Sequence, residues 1–176
     1  MLAIADGFGE SPTPALLVPD VDPEQLLRDP PEPPDVPPSV ARRLRMPNLL
    51  AQARTMARDA RSLGMRVMTP DDEDWPTRLS QQPFAPVCLF VRGDPRALSQ
   101  EPACAVVGSR TPTPYGSDAA TDLCAALARC GTVLWSGLAR GIDSIAHNQS
   151  VRHQSATVAV LAGGLDQIYP AEHGTL

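Results

Sequence analysis

Apolar positions recur along the chain in two rhythms. From Val40 to Leu63 (VARRLRMPNLLAQARTMARDARSL), Leu49, Leu50, Ala53, Met56, Ala57 and Ala60 fall on a helical period with arginines opposite them. This predicts an amphipathic helix, with Gly64 placed to close it. Beyond Gly64 the rhythm changes to short, mostly apolar runs bounded by turn residues: Met65–Thr69, Val87–Gly93, Ala103–Gly108, Thr132–Trp135 and Ala156–Gly164. Runs of this kind predict strands, and the 87–93 and 103–108 runs read as strands buried on both faces. Thr113-Pro114 fits an N-cap followed by a first helical residue. It opens a helix through Ala119, Leu123, Ala126 and Leu127 that Gly131 ends, and Ile142 to His153 forms a second. Strand, helix, strand, helix, strand predicts parallel strands with right-handed crossovers: an α/β fold on a Rossmann-like parallel sheet with helices on both faces.

The first 39 residues follow neither rhythm. They are rich in proline and acid, culminating in DPPEPPDVPP at Asp29–Pro38. Proline donates no backbone hydrogen bond and the segment buries little apolar area, so it is expected to be extended or disordered, a solvated tail more than a proline-rich ligand. Three regions result: a tail over 1–39, a helical segment over 40–64 and a Rossmann-like domain over 65–176.

Charge is divided along the same line. The net charge of −5 argues against a phosphate polymer as partner. Residues 1 to 41, however, hold eight acids and one arginine, so the remainder is about +2 by subtraction. DNA and RNA are therefore not excluded. All 15 basic residues are arginine, which codon usage in a GC-rich genome explains, and which rules out a P-loop or Schiff-base lysine. Cys88, Cys104, Cys124 and Cys130 form no CxxC pair, so neither a zinc site nor a redox motif is indicated. No signal peptide and no membrane-length apolar run is apparent, and the default location is the cytoplasm.

In a parallel sheet the strand-to-helix loops gather at the carboxyl edge, where ligands bind. Three such loops are expected: Gly108-Ser109-Arg110, Ser136-Gly137-Leu138-Ala139-Arg140-Gly141 and Ala162-Gly163-Gly164. Glycines admit a ligand to the backbone, Ser109 and Ser136 bring hydroxyls, and the forked cations of Arg110 and Arg140 suit phosphate oxygens. Neither GxGxxG nor Walker A is present. Tyr115 is placed to stack on a base and is equally ordinary as a core aromatic. Asp143 and His147, four apart on one helical face, are conceivable as an acid/base pair. With no nucleophile or metal set beside them, the better reading is that Asp143 caps the first turn and His147 packs. Arg54, Arg58 and Arg61 read better as a solvated face than as a phosphate track.

The runs AVVGSRTPTPYG, WSGLARGIDSIAH and TVAVLAGGLDQIYPAEH, preceded by DWPTRL and PVCLFVRGD, resemble the DNA-processing protein A (DprA/Smf) family from about Val67 onward. The resemblance implies an extended Rossmann fold and non-enzymatic binding of single-stranded DNA. It implies protection of incoming strands during natural transformation, loading of the recombinase RecA in homologous recombination, and a homodimer. It requires no cofactor and no metal. It assigns Gly108, Ser109, Arg110, Ser136, Gly137, Arg140, Gly141 and Asp143 to the DNA-binding pocket, alongside Tyr115, Gly163 and Gly164 from the loop reading. The chain departs from the family at His173, where asparagine is usual, and at Ser155, where glycine is usual. It also stops at Leu176, before further strands expected of the Rossmann domain. Two other functions fit such loops: a nucleotide-binding enzyme of the phosphoribohydrolase (lysine-decarboxylase-like) type, whose PGGxGT signature is missing, and a small-nucleotide sensor.

Overall fold

The computed structural model describes residues 2–3, 29, 42, 45–82, 85–86 and 88–175. The chain divides into two compact units, one formed by Met1–Ala5 with Gly64–Leu176 and the other by Asp6–Leu63.

In the smaller unit the described element is helix α1, Leu49–Ser62. Arg42 is also helical, but α1 does not start until Leu49: residues 45–48 form turns, because Pro47 is disfavoured inside a helix and Asn48 turns left-handed at φ 66°. Ala53 and Met56, placed by the pattern on its apolar face, are exposed. The helix ends where expected, with the Leu63 amide bonded back to Asp59 and Ala60 and Gly64 at φ 73°.

The larger unit is built on one sheet. Its strands are β1 (Leu2–Ala3), β2 (Arg66–Met68), β3 (Leu89–Val91), β4 (Ala103–Ala105), β5 (Val133–Ser136) and β6 (Thr157–Leu161), in the order β2-β3-β1-β6-β5-β4. The strands β4, β5 and β6 are parallel, with Cys104 opposite Leu134 and Trp135 opposite Val158. β2 and β3 run antiparallel to each other, so the sheet is mixed outside its Rossmann-like half. β1 pairs parallel to β6 and antiparallel to β3. Leu2–Ala3 is thus a paired, extended strand at the start of the segment expected to be extended or disordered over 1–39. The apolar start Met-Leu-Ala-Ile is a short strand sequence in its own right. Of the remainder of that segment only Asp29 lies among the described residues.

Side chains alternate across the sheet and give each face its own core. Cys104 and Leu134 point toward helices α3 (Pro114–Arg129) and α4 (Ile142–Arg152), where they meet Cys124 and Ala146. Val133 and Val158 point the other way, into a cluster with Met68, Trp75, Leu89, Val91 and Leu98. That second face is covered by Trp75, by Leu79 of the short helix α2 (Thr77–Ser80) and by the 3₁₀ turn Pro95–Leu98. The Trp75 indole N–H donates to Ser80 Oγ at 2.9 Å, which satisfies its polar atom at the core boundary.

One expectation about burial is corrected, and one expected helix shows which of its faces is buried. Strand β4 is not buried on both faces: among the described residues it pairs only with β5, Ala105 is exposed and Val107 beyond it is 75% exposed. Helix α3 begins with Pro114 after Thr113, whose hydroxyl accepts from the Gly116 amide at 3.1 Å. Its buried stripe, however, is Cys124, Ala125 and Ala128, while Ala119, Leu123 and Ala126 face solvent. Small side chains on the inner face allow α3 to lie close to α4 and β5.

Candidate nucleic-acid interface

Because β4, β5 and β6 are parallel, the segments after Ala105, Ser136 and Leu161 leave the same edge of the sheet. The first two are interlocked through their backbones. A Cβ on Gly108 would lie 2.7 to 3.0 Å from three carbons of Ile142, the first residue of α4. One on Gly141 would collide with the Ser109 carbonyl oxygen and with Arg110 Cα and C. Gly141 also holds φ 79° and ψ −126°, a region that L side chains avoid. The Ile142 amide then donates to the Ser109 carbonyl at 3.1 Å. These glycines are therefore demanded by the fit of one loop on the other, and the first amide of α4 is already bonded within the protein.

The second loop is organised from beneath. Ser136, 4% exposed, donates its hydroxyl to the Val106 carbonyl at 2.6 Å and so fastens the end of β5 to the end of β4. Asp143 turns back under the loop and accepts from the Gly137 amide at 3.0 Å and the Ala139 amide at 3.4 Å. Gly137 lacks the Cβ that would stand 2.9 Å from that carboxylate oxygen, and Leu138, at φ 57°, is buried. Sequence places Ser136, Gly137 and Asp143 beside the ligand; in the structure their polar groups bond to one another and to the backbone, and they shape the loop from inside.

Asp143 and His147 do not work as a pair. The His147 ring is 2% exposed, with Nδ1 2.8 Å from Thr157 Oγ1. Thr157 gives its single proton to the Leu134 carbonyl at 2.7 Å, so the Nδ1–H of His147 is the donor and Nε2 is an unprotonated nitrogen with no partner among the described residues. Burial pushes the imidazole down to about 4 from its ordinary 6.5, against the opposing pull of the Asp143 charge. It is a neutral core histidine, in keeping with the packing alternative. Among the described residues no group of His, Cys, Asp or Glu is placed to hold a metal ion.

The outward-facing groups are fewer. Ser109 and Arg110 are exposed, and no carboxylate among the described residues pairs with Arg110. Ser109 Oγ accepts from the Thr111 amide at 3.1 Å, which leaves its proton to donate outward. Tyr115 stands 82% exposed on the first turn of α3, and Tyr169 is 71% exposed beyond the third loop. In that third loop Leu165 is buried as an anchor while Gly163 has nothing within 4 Å of where a Cβ would stand. At Gly164 such a Cβ would meet only the Asp166 side chain.

Arg140 is placed differently from Arg110. Its Nε donates to Glu172 Oε1 at 2.6 Å, and one residue further His173 Nδ1 donates to the Leu138 carbonyl at 2.8 Å. Both come from the 3₁₀ turn Ala171–Thr175, which is thereby stapled onto the second loop. The hydrogen bond with Arg140 holds the Glu172 carboxyl below the usual range and raises the guanidinium further, the two shifts agreeing in direction. Glu172 lies in the IYPAEH run, but nothing local signals a partner 32 residues away.

A Rossmann-type sheet whose carboxyl edge presents arginine, hydroxyl and unobstructed glycine backbone has the groups with which α/β proteins hold anionic ligands. The chain belongs to the DNA recombination-mediator protein A family, whose model matches residues 66–176. It is 41% identical over 125 residues to the putative DNA processing protein DprA of Mycobacterium tuberculosis, covering 64% of this chain and 32% of that protein. It is 40% identical over 106 residues to the protein Smf of Escherichia coli, covering 60% of this chain and 28% of that one. Among solved structures it is similar to DNA processing protein A of Streptococcus pneumoniae, with TM-score 0.59 and 31% identity over 74% of this chain and 47% of that. It is also similar to DNA processing protein A of Helicobacter pylori, described for its single-stranded DNA binding mode, with TM-score 0.53 and 30% identity over 61% of this chain and 48% of that. The chain thus spans about a third of the length of the curated relatives it matches.

Proposed function

We propose that the chain binds single-stranded DNA at the carboxyl edge of its sheet, without catalysis, as part of DNA uptake and homologous recombination in the cytoplasm. The observation that carries this is Arg110: an exposed guanidinium with no carboxylate partner among the described residues, fixed at the edge by the interlocked Gly108 and Gly141 loops. Ser109 and the backbone of Gly163 and Gly164 add donors to phosphate oxygens, Arg140 adds a second cation, and Tyr115 offers a face for a base. Ser136, Gly137, Gly141 and Asp143 act one step behind, as residues that position the loop. Loading of RecA and homodimer formation belong to the same reading and rest on family membership.

The phosphoribohydrolase alternative needs a carboxylate aimed at the ligand. In the second loop and the turn stapled to it, Asp143 is bonded to two loop amides and Glu172 to Arg140, which favours binding without hydrolysis there.

The test is fluorescence anisotropy of labelled oligo-dT and the matching duplex across a salt series, with the whole chain and with Arg110→Ala. Single strands should bind in preference to duplex. Arg110→Ala should weaken binding about tenfold and flatten the log–log salt slope by about 0.7, the share of one phosphate on a single strand. Equal affinity of both proteins for oligo-dT would remove Arg110, and this edge, from the interface.

A further inference from the structure

The second cation of the edge does not stand open. Arg140 is held at 2.6 Å by Glu172, whose carboxylate oxygen lies where a phosphate oxygen would have to lie to receive the same Nε–H. The turn that carries Glu172 is fixed independently of that ion pair, because His173 donates to the Leu138 carbonyl in the same loop. The backbone of Glu172 is therefore kept near Arg140 whether or not the charges attract, while its exposed side chain is free to turn away. Both side chains are more than half exposed, at 58% and 53%, so the pair is reachable by a ligand and water can screen it. Arg110, the other edge arginine, has no such partner among the described residues.

We propose that Glu172 is a built-in competitor for phosphate at Arg140, a carboxylate gate that a DNA strand displaces when it moves from a first contact at Arg110 to full engagement of the edge. The inference rests on the single-strand reading above and deepens it. The strand gains hold at the open cation first. The next phosphodiester then exchanges for the carboxylate on the second cation, and the freed Glu172 turns to solvent. Charge is conserved at Arg140 throughout, since one anion replaces another. A ligand with a single phosphate faces this competition at Arg140 without the help of a neighbouring phosphate already bound at Arg110.

The experiment is oligo-dT anisotropy over a salt series with the whole chain, Glu172→Gln, Arg140→Ala and the double variant. Glu172→Gln keeps the size of the side chain and leaves the His173 bond intact, so the turn stays in place; a thermal melt against the unmodified chain verifies the fold. Glu172→Gln should bind oligo-dT about two- to fivefold tighter at low salt, the range set by an exposed ion pair. Its salt slope should steepen by at most about 0.7, and only to the extent that the carboxylate leaves the Arg140 contact incomplete in the unmodified chain. In the Arg140→Ala background the same substitution should bring no gain.

Glu101→Gln removes an acid from the opposite, amino-terminal end of β4, where it pairs with Arg78, and should leave affinity unchanged. Three results overturn the gate: affinity unchanged or weakened in Glu172→Gln, a gain that survives without Arg140, or an equal gain in Glu101→Gln, which would reflect net charge alone. Binding that is lost in Arg110→Ala yet indifferent to Glu172→Gln overturns the gate and leaves the single-strand reading standing. Absence of binding by both the unmodified chain and Glu172→Gln overturns the two together.

Discussion

Gly141 carries two separable demands, a backbone conformation and a contact. At φ 79° and ψ −126° an alanine is strained, and its methyl would also collide with the Ser109 carbonyl and Arg110. Gly131 provides the comparison, since at φ 76° it is strained for alanine but has nothing within 4 Å of a Cβ. Gly131→Ala should therefore cost about 1 kcal/mol, the ordinary left-handed penalty. Gly141→Ala should cost about 3 kcal/mol or more, and weaken oligo-dT binding by pushing the Arg110 loop outward. Urea denaturation of both variants reads the difference, and equal midpoint shifts would mean that the two loops are not in tight contact. At this scale the sequence is informative where a residue type announces a local need. Gly108 and Gly141 are each where a glycine is required, and Arg110 is the exposed cation beside them. It is silent where a polar group is answered from afar: the Ser136 hydroxyl by Val106, 30 residues away, and Arg140 by Glu172, 32 away. A hydroxyl or guanidinium reads the same on paper whether it faces a ligand or a carbonyl of its own chain.

Helix α4 is tied to the sheet by a polar seam. His147 donates to Thr157 on β6, and Thr157 donates to Leu134 on β5. With the imidazole held down at about 4 in the folded state against 6.5 when free, the unfolded chain binds the extra proton between those pH values. Stability contributed by the neutral ring is therefore fully present above pH 6.5 and is lost as pH falls toward 4, by a total of about 3 kcal/mol. Denaturation at pH 7, 6, 5 and 4 should show this decline. His147→Asn should lower stability at pH 7 and flatten the slope across that window; an unchanged slope would mean that other groups cause it.

The elements themselves are largely legible, because caps and turn glycines are local. Thr113-Pro114 starts α3, Gly64 follows α1, and Gly131 follows α3. Which face of α3 is buried is not legible, since alanine and leucine populate both sides and packing against α4 selects the side with Cys124 and Ala128. Strand β1 escapes notice because a two-residue pairing carries no periodicity.

Across the whole molecule, the net charge opposes the sign that a phosphate-binding edge needs. The chain carries −5, and the acids gathered between residues 1 and 41 outweigh it alone. The acidic segment is covalently part of the same chain as the edge. Its field should act on an approaching strand over about one Debye length, roughly 10 Å at 0.1 M salt and about 3 Å at 1 M. Neutralising Asp29, Glu32 and Asp35 together, as Asp29→Asn, Glu32→Gln and Asp35→Asn, raises the net charge by three and leaves the sequence of the edge loops unchanged. Stopped-flow association with oligo-dT should then accelerate about threefold or more at low salt, and the advantage should vanish near 1 M. Because the edge contacts are unchanged, dissociation rates should stay the same, which separates long-range repulsion from occlusion of the site. A gain that persists at 1 M salt would mean that the acidic segment competes for the arginines by contact, as Glu172 is proposed to do. No gain at low salt would mean that its charge does not reach the edge.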